Sequence, residues 1–407
     1  MISQISIKNY KSVKDVKLDL GRFNVFIGEN GAGKSNVLEA IALAGAAQAR
    51  KLDNEFLLSR GVRVTEPQWM RSAIKGPITD EVLIGAKCKG GELVYQITMN
   101  DSPYPKWECK LKDQVGIGLN FSELLELMKD IKKSTDDEDE ANKIFLALMQ
   151  TYSETTGVVN KSHTLELKKP IGFLDKRLQH NAEAFKSLAG FIIYSPENTS
   201  LRVFEKEGQI EPLGINGEGV LKLLSVLDAS EDKAPINRVK KSLEMLGWFQ
   251  DFGIVQGGAN TPSRIKIHDR WLEEKLNGFD QKSANEGFLF LVFYFCLFAT
   301  DLTPSFFAVD NVDASLNPKL CEYLVAALCK MSKESEKQVI LTAHNPAVLD
   351  GLDLQDKDQR LFVISRGGKG QTRIRRVSEP VPVPGHRPLR LSESFIRGNL
   401  GGLPEGF

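Results

Sequence analysis

The first residues that could do chemistry form the stretch GENGAGKS, from Gly28 to Ser35. It fits the pattern G-x-x-x-x-G-K-[ST], with an apolar run before it and a helical pattern after it. Glycines let a backbone wrap closely around phosphate oxygens, and N–H groups at a helix N-terminus meet their negative charge. We expect Lys34 to reach the β- and γ-phosphates of ATP and Ser35 to bind Mg²⁺. The same cradle would include Gly28, Asn30, Gly31, Gly33 and Asn36.

A glycine-rich turn capped by a serine would be the structural alternative for this stretch. The complete motif, in its strand-to-helix setting, favours phosphate binding instead.

A second group of polar residues follows two apolar runs in the C-terminal half. Asp310 ends the run in FFAVDNVDASLNP (306–318), and His344 follows the run Val339–Thr342. Such runs indicate buried parallel strands, whose carboxyl ends form the edge of an α/β sheet where ligands bind. We therefore expect Asp310 to hold Mg²⁺ together with Ser35 and His344 to lie at the same edge. A lone histidine with a purely structural role is the alternative for His344.

The segment SANEGFLFLVFYF (283–295) places small polar residues ahead of an apolar helix. Asn285 and Gly287 stand where that helix would begin, and a helix N-terminus can bind phosphate. A polar N-cap before a buried helix gives the same pattern. The apolar stretch Gly287–Ala299 is shorter than the roughly 20 residues of a membrane span, so a core helix is expected.

IKNYKS, followed by FNVFIGENGAGKSNVLEAI, resembles the N-terminal segment of the RecF/SMC-type branch of ABC ATPases. The three later segments resemble the signature, the Walker B strand with its D-loop, and the switch histidine of these heads. Their order behind a full P-loop strengthens the assignment, which covers roughly residues 1–50 and 280–370.

The resemblance implies roles for several residues. Lys11 and Ser12 would touch the nucleotide, although a solvated turn between strands explains them as well. Asn285 and Gly287 would receive the γ-phosphate of a second subunit in an ATP-dependent head-to-head dimer or a higher oligomer. Ala314 to Asn317 would approach that partner, and His344 would sense the γ-phosphate.

Asn311 departs from the family pattern, because related heads usually place glutamate after the Walker B aspartate. An amide can orient a water molecule but cannot accept its proton. Asp313 still carries a carboxylate two residues later and is the alternative group for this role. We expect a catalytic set of Asp310, Asn311, Asp313 and His344 that binds ATP well and hydrolyses it slowly.

The fold predicted from these patterns is α/β: a P-loop ABC-type ATPase head with an antiparallel β lobe and an inserted helical subdomain. Short strands in 81–112 would form the lobe, and FIIY (191–194) a core strand. The predicted divisions are an N-terminal head part at 1–118, a helical insertion with connecting strands at 119–280, a C-terminal head part at 281–377 and a docking tail at 378–407. A long coiled-coil arm does not fit this length.

Composition restricts the functional classes. Of 407 residues, 53 are Lys or Arg and 53 are Asp or Glu, so no overall basic charge suggests nucleic acid. Five cysteines without a C-x-x-C pair predict buried reduced thiols in a cytoplasmic protein.

In SRIKIHDR (263–270), basic residues alternate with Ile265 and Ile267. They could contact DNA phosphates, but a solvated edge strand is favoured.

Three functions remain as hypotheses. The first is an ATP-gated switch, without a membrane partner, for a separately encoded effector such as a nuclease or toxin, as in bacterial anti-phage systems. The second is a RecF-like DNA-repair ATPase that binds DNA directly. The third, a transporter ATPase subunit, fits the N-terminal motif and the altered signature poorly. A C-terminal metal-dependent nuclease domain, as in overcoming-lysogenization-defect proteins, is not expected after residue 377.

Overall fold

A computed structural model describes residues 1–74, 79–89, 91–100, 106–112, 183–204, 208, 210–257, 263–273, 278–378 and 389–403. The chain forms two compact units. The first contains residues 1–20, 40–56 and 64–190, and the second contains residues 21–39, 57–63 and 191–407. The helices predicted between 121 and 182 and the acidic loop at 134–142 lie outside the described residues.

The first unit is built on a five-stranded antiparallel sheet with the order β2-β1-β4-β5-β6. Alternation along the first strand buries Ile2, Ile5 and Ile7, as the sequence predicts. The strands are β1 (Ile2–Tyr10), β2 (Val13–Asp19), β4 (Glu81–Cys88), β5 (Gly91–Met99) and β6 (Trp107–Lys112). The predicted antiparallel lobe is thus confirmed.

The second unit contains a six-stranded sheet with the order β14-β13-β3-β12-β11-β7. Its five neighbouring strands from β13 to β7 are parallel, and β14 pairs antiparallel with β13. The strands are β3 (Phe23–Ile27), β7 (Ile192–Tyr194), β11 (Phe306–Val309), β12 (Gln338–Ala343), β13 (Gln359–Arg366) and β14 (Thr372–Val377). The runs predicted as buried parallel strands are fully buried because both faces of the sheet are covered.

A separate three-stranded antiparallel sheet corrects one prediction. It consists of β8 (Phe249–Val255), β9 (Arg264–Asp269) and β10 (Gly278–Asp280), and β9 is the central strand. The expectation that 263–270 forms an edge strand is therefore wrong. The alternation itself is confirmed, since Ile265 and Ile267 are fully buried.

The helices are α1 (Lys34–Gln48), α2 (Asn54–Ser59), α3 (Pro67–Met70), α4 (Asn198–Leu201), α5 (Val220–Ala229), α6 (Ala234–Leu243), α7 (Glu286–Ala299), α8 (Pro318–Glu334) and α9 (Leu391–Ile396). Residues 183–189 are also helical, and Pro346–Gly351 form a 3₁₀ turn. Every side chain of α7 from Phe288 to Ala299 is buried, which confirms the core helix. Within the described residues, no helix has the length and apolar character needed to cross a membrane.

Two local findings complete the fold. All five cysteines are free thiols, but Cys109 is exposed, so the expectation of buried thiols is wrong at that position. In the tail, α9 packs back onto the second unit. Ser392 Oγ donates a hydrogen bond to Asp350 Oδ2 at 2.6 Å, and Phe395 joins the hydrophobic core.

Candidate nucleotide-binding site

The P-loop leaves the buried strand β3 at Gly28 and ends where α1 begins at Lys34. Gly28 has a φ of 155°, and a Cβ atom there would lie 1.9 Å from the carbonyl oxygen of Ile364 on β13. Glycine is therefore required by the close approach of a neighbouring strand as well as by phosphate chemistry. Two side chains from the β13–β14 hairpin also hold the loop. Arg366 Nε donates to the Gly31 carbonyl at 2.8 Å, and Thr372 Oγ1 donates to the Ala32 carbonyl at 2.9 Å.

Lys34 is folded along its own loop and is 6% exposed. Its Nζ donates to the carbonyl oxygens of Gly28 at 2.8 Å and Glu29 at 3.1 Å. Burial lowers the pKa of Lys34, while the negative charges of Asp310, Asp313 and Glu29 act in the opposite direction. The ammonium group is thus held within the loop and close to the carboxylates after β11.

Ser35 and Asp310 meet, as the sequence predicts. Ser35 Oγ donates a hydrogen bond to Asp310 Oδ2 at 3.0 Å. The other oxygen, Asp310 Oδ1, accepts a short hydrogen bond from Thr342 Oγ1 at the end of β12. A hydroxyl beside a carboxylate offers the hard oxygen ligands that Mg²⁺ prefers. The residues present therefore fit a magnesium ion bound by Ser35 and Asp310.

Asn311 is exposed and has a φ of 56°, in the left-handed region. Its backbone N–H donates to Thr342 Oγ1 at 2.9 Å. Asparagine is among the residues that adopt this conformation most readily, because its short amide can bond locally. The backbone at this position therefore suits asparagine better than glutamate, which the sequence pattern does not reveal.

Asp313 is engaged by the backbone that follows β12. Its Oδ2 accepts the N–H groups of His344 at 3.1 Å and Asn345 at 2.7 Å. Its Oδ1 is buried without a hydrogen-bond partner among the described residues, as is the hydroxyl of Tyr294 on α7. Burial raises the pKa of Tyr294, and the negative charge of Asp313 raises that pKa further.

His344 is exposed at the end of β12, close to Lys34 and Asp310. Partial burial of its ring still lowers the pKa of His344, and the positive charge of Lys34 lowers it further, whereas Asp313 and Asp310 act in the opposite direction. An imidazole with a pKa below its usual value of about 6.5 is mostly neutral at pH 7, so it can donate a hydrogen bond through one nitrogen and accept one through the other. The structure thus brings Lys34, Ser35, Asp310, Asp313 and His344 together at one edge of the sheet.

The residues predicted as the signature lie at the start of α7. Asn285 is the N-cap, and its Oδ1 accepts the Phe288 N–H at 2.8 Å. Its side chain therefore has the capping role that the sequence left open. A Cβ atom on Gly287 would lie 3.5 Å from the carbonyl oxygen of Ser315, so α7 begins against the loop after β11.

The remaining predicted residues lie in two places. Asn36 Oδ1 accepts a hydrogen bond from Arg63 Nη2 at 3.3 Å, and Arg63 also binds the buried Glu39. Lys11 and Ser12 lie in the first unit, in the turn between β1 and β2, and their contact with nucleotide stays a prediction.

Sequence reasoning missed several residues that shape this region. They are Asn198, Arg202, Thr342, Arg366 and Thr372. All are polar residues outside the P-loop and Walker B patterns, and each has a hydrogen-bond partner far away in the chain. Thr342 had the clearest signal, because its hydroxyl directly follows the apolar run Val339–Leu341.

Comparisons with known proteins agree with this geometry. A family model described as an AAA ATPase domain matches residues 1–146. An uncharacterized protein of Methanocaldococcus jannaschii is 42% identical over 67 residues, which are 15% of this chain and 31% of that protein. The DNA replication and repair protein RecF of Bacillus cytotoxicus is 40% identical over 60 residues, which are 14% of this chain and 16% of RecF. The chain thus spans less than a third of either relative.

Solved structures resemble the chain over almost its full length. An SMC head, solved in complex with the C-terminal winged-helix domain of ScpA, has a TM-score of 0.54 at 14% identity. The match covers 93% of this chain and 98% of the SMC head. The N-terminal sequence, similar to AAA ATPase domains and to RecF, and the fold, similar to an SMC head, together support a RecF/SMC-like ABC-type ATPase.

Proposed function

We propose that this chain binds ATP with Mg²⁺ and hydrolyses it slowly to ADP and phosphate. The observation that carries the proposal is the 3.0 Å contact between Ser35, in the first turn of α1, and Asp310, which directly follows β11. Two segments that are 275 residues apart in sequence meet there with the ligands that a magnesium ion and a triphosphate require. Lys34 lies beside them with its charge directed into the loop.

Each side chain has a defined part in the reaction. Lys34 and the N–H groups at the start of α1 neutralise the negative charge of the phosphates. Ser35 and Asp310 hold Mg²⁺, which supplies further charge neutralisation when it is bound. Asn311 orients the attacking water but takes no proton from it, so turnover is slow. His344 contacts the γ-phosphate region from the end of β12.

Self-association completes the proposal. The N-terminus of α7, with Asn285 and Gly287, would meet the γ-phosphate held by a second copy, in a head-to-head dimer or a higher oligomer. ATP can favour that assembly through contacts that ADP lacks. The exposed loop after β11 would lie at the same interface.

The biological role follows from slow turnover. A head that stays in the ATP-bound form for a long time suits a switch better than a motor. We place it in the cytoplasm, controlling a separately encoded effector such as a nuclease or toxin in bacterial anti-phage defence. An SMC head of similar fold was solved with a bound domain of ScpA, which supports the idea of a protein partner.

Calorimetry with Mg²⁺-ATP tests the proposal directly. Lys34→Ala should weaken ATP binding by about 10- to 100-fold, as expected for a lost hydrogen bond to a charged group. Lys330→Ala, on the exposed surface of α8, is the matched control and should bind like the wild type. Equal affinity of folded Lys34→Ala and wild type would overturn the assignment.

A RecF-like ATPase that binds DNA directly is the second candidate. The N-terminal similarity to RecF favours it. The sheet that carries the basic residues does not add support, because Lys266 lies opposite Asp280 and His268 lies opposite Asp251 in the strand register. Acidic neighbours reduce the attraction of this face for phosphate.

A further inference from the structure

The carboxylate of Glu286, the first residue of α7, joins two other segments of the second unit. Ser315 Oγ, in the loop after β11, donates to Glu286 Oε2 at 3.0 Å. Asn198 Nδ2, on α4, donates to Glu286 Oε1 at 2.6 Å. Both oxygens of one side chain are therefore engaged, each by a different element.

Arg202 extends this connection to the residues that precede α7. Its Nε donates to Asn198 Oδ1 at 3.0 Å. Its terminal nitrogens donate to the carbonyl oxygens of Gln281 at 2.8 Å, Lys282 at 2.7 Å and Ala284 at 2.9 Å. A planar guanidinium with several fixed donors holds a backbone segment in one orientation. These hydrogen bonds hold the start of α7 against α4. The helix α4 follows β7, the strand that pairs with β11.

The backbone conformation of Ser315 indicates that its hydroxyl has a structural role. Ser315 has a φ of 58°, a left-handed conformation that glycine adopts without strain and serine does not. Such a conformation persists where the surroundings stabilise it. The hydrogen bond from Ser315 Oγ to Glu286 provides that stabilisation, and a glycine at position 315 could not form it.

We propose that Glu286 is a positioning residue that, through Ser315, couples the loop after β11 to the first turn of α7. The loop begins with Asp310, which binds Mg²⁺ in the proposed site. A change in that loop upon ATP binding would therefore shift the helix N-terminus that faces a second copy. This coupling rests on the proposed function, because it needs ATP at the P-loop.

Three variants separate coupling from stability. Ser315→Gly removes the hydroxyl, which lowers stability, and also relieves the left-handed strain, which raises it, so the two effects on the free energy of unfolding oppose each other. Glu286→Gln removes the charged acceptor. The double variant tests whether both act through one contact, because residues in one network give non-additive effects. Glu334→Gln, in an exposed pair with Lys330 on α8, is the control.

Hydrogen exchange of the full chain, with and without Mg²⁺-ATP, is the measurement. In the wild type, ATP should change exchange in residues 311–317 and also in residues 281–289. In Ser315→Gly the change at 281–289 should shrink by about tenfold in rate, the size of one hydrogen bond to a charged group. The double variant should match Ser315→Gly, and the control should match the wild type.

Two results would overturn the coupling while the proposed function stands. One is ATP binding with no change at 281–289 in the wild type, and the other is an unchanged response in Ser315→Gly. Calorimetry on the same samples tells these apart from failure of the proposed function, in which ATP does not bind the wild type.

Discussion

Asp313 binds Asn345 through its carboxylate, accepting the Asn345 backbone N–H at 2.7 Å, and the same oxygen accepts the N–H of His344. The carboxylate that follows Asn311 thus shapes the turn after β12, where His344 is placed. Its second oxygen is buried. A carboxylate held in this way is poorly placed to take a proton from an attacking water, so we assign Asp313 a positioning role.

Asp313→Asn should therefore act on structure first. It removes the negative charge of the group that accepts both backbone N–H groups and places an amide NH₂ where the buried, unpartnered Oδ1 lies, so we expect a loss of about 1–3 kcal/mol in the free energy of unfolding. Turnover should fall because His344 is displaced. His344→Ala alone and combined with Asp313→Asn should give the same turnover, since both act through one turn. Denaturant unfolding and phosphate release provide the two measurements.

If Asp313 were the general base, the outcome would differ. Asp313→Asn would then abolish turnover, leave stability unchanged, and add its effect to that of His344→Ala.

Asn311 offers a direct test of slow hydrolysis. Asn311→Asp keeps a side chain that tolerates the left-handed backbone and adds a carboxylate, so steady-state turnover should rise with little change in ATP affinity. Asn311→Glu should raise turnover as well, at a cost of about 1 kcal/mol in stability for the strained backbone. General bases typically contribute about 10²–10⁴-fold, and a gain of about tenfold or more would be informative.

Phosphate release and denaturant unfolding of the wild type, Asn311→Asp and Asn311→Gly would be compared. Asn311→Gly is the control, because it relieves the backbone without adding a carboxylate. A wild type that already turns over rapidly, with no gain in Asn311→Asp, would refute the slow-turnover proposal.

Lys337, the residue before β12, is 1% exposed. Its ammonium group lies at the C-terminal end of α7. Its Nζ donates to the carbonyl oxygens of Leu297 at 2.8 Å, Thr300 at 2.7 Å and Thr303 at 3.3 Å. Burial lowers the pKa of Lys337 to about 7 from its ordinary value of 10.5. Between these values the unfolded chain binds a proton that the folded chain has released, so this group contributes stability that rises with pH.

Lys337→Met should remove that contribution. The difference in free energy of unfolding between wild type and variant should grow in favour of the wild type from about pH 7 to pH 10, by at most about 1.4 kcal/mol per pH unit. Taking the difference cancels the titration of cysteines and tyrosines. Denaturant unfolding at several pH values provides the data, with Lys330→Met on the exposed face of α8 as control. Parallel curves for wild type and Lys337→Met would contradict the lowered pKa.

The basic face of β9 gives a test of DNA binding. Arg264 and Lys266 are exposed, whereas Arg270 donates to the Phe249 carbonyl at 2.7 Å and is better left intact. Each phosphate contact contributes about 0.9 to the slope of log affinity against log salt concentration. Acidic residues on the neighbouring strands reduce the attraction of this face for phosphate. Arg264→Gln with Lys266→Gln should therefore leave that slope unchanged. A decrease of about two in the slope would assign the face to DNA and favour the RecF-like function.

The sequence by itself predicted the parts of this protein that depend on local patterns. The P-loop has a fixed spacing because neighbouring N–H groups must surround a phosphate, so Gly28 to Ser35 could be recognised without a structure. Alternation and apolar runs predicted β1, β3, β11 and β12, because burial on one or both faces of a sheet determines which residues fit there. The apolar length of α7 predicted a core helix.

Tertiary structure alone decided which distant residues meet. β9 has the pattern of an edge strand, yet it lies between β8 and β10, because alternation reports the buried face and not the number of neighbours. The position of Asn311 suggested a missing carboxylate, but its left-handed backbone and the engagement of Asp313 appear only in three dimensions. The contacts of Glu286 with Ser315 and Asn198 join segments up to 88 residues apart. Such partners are brought together by the packing of the sheet and its helices, which no local pattern records.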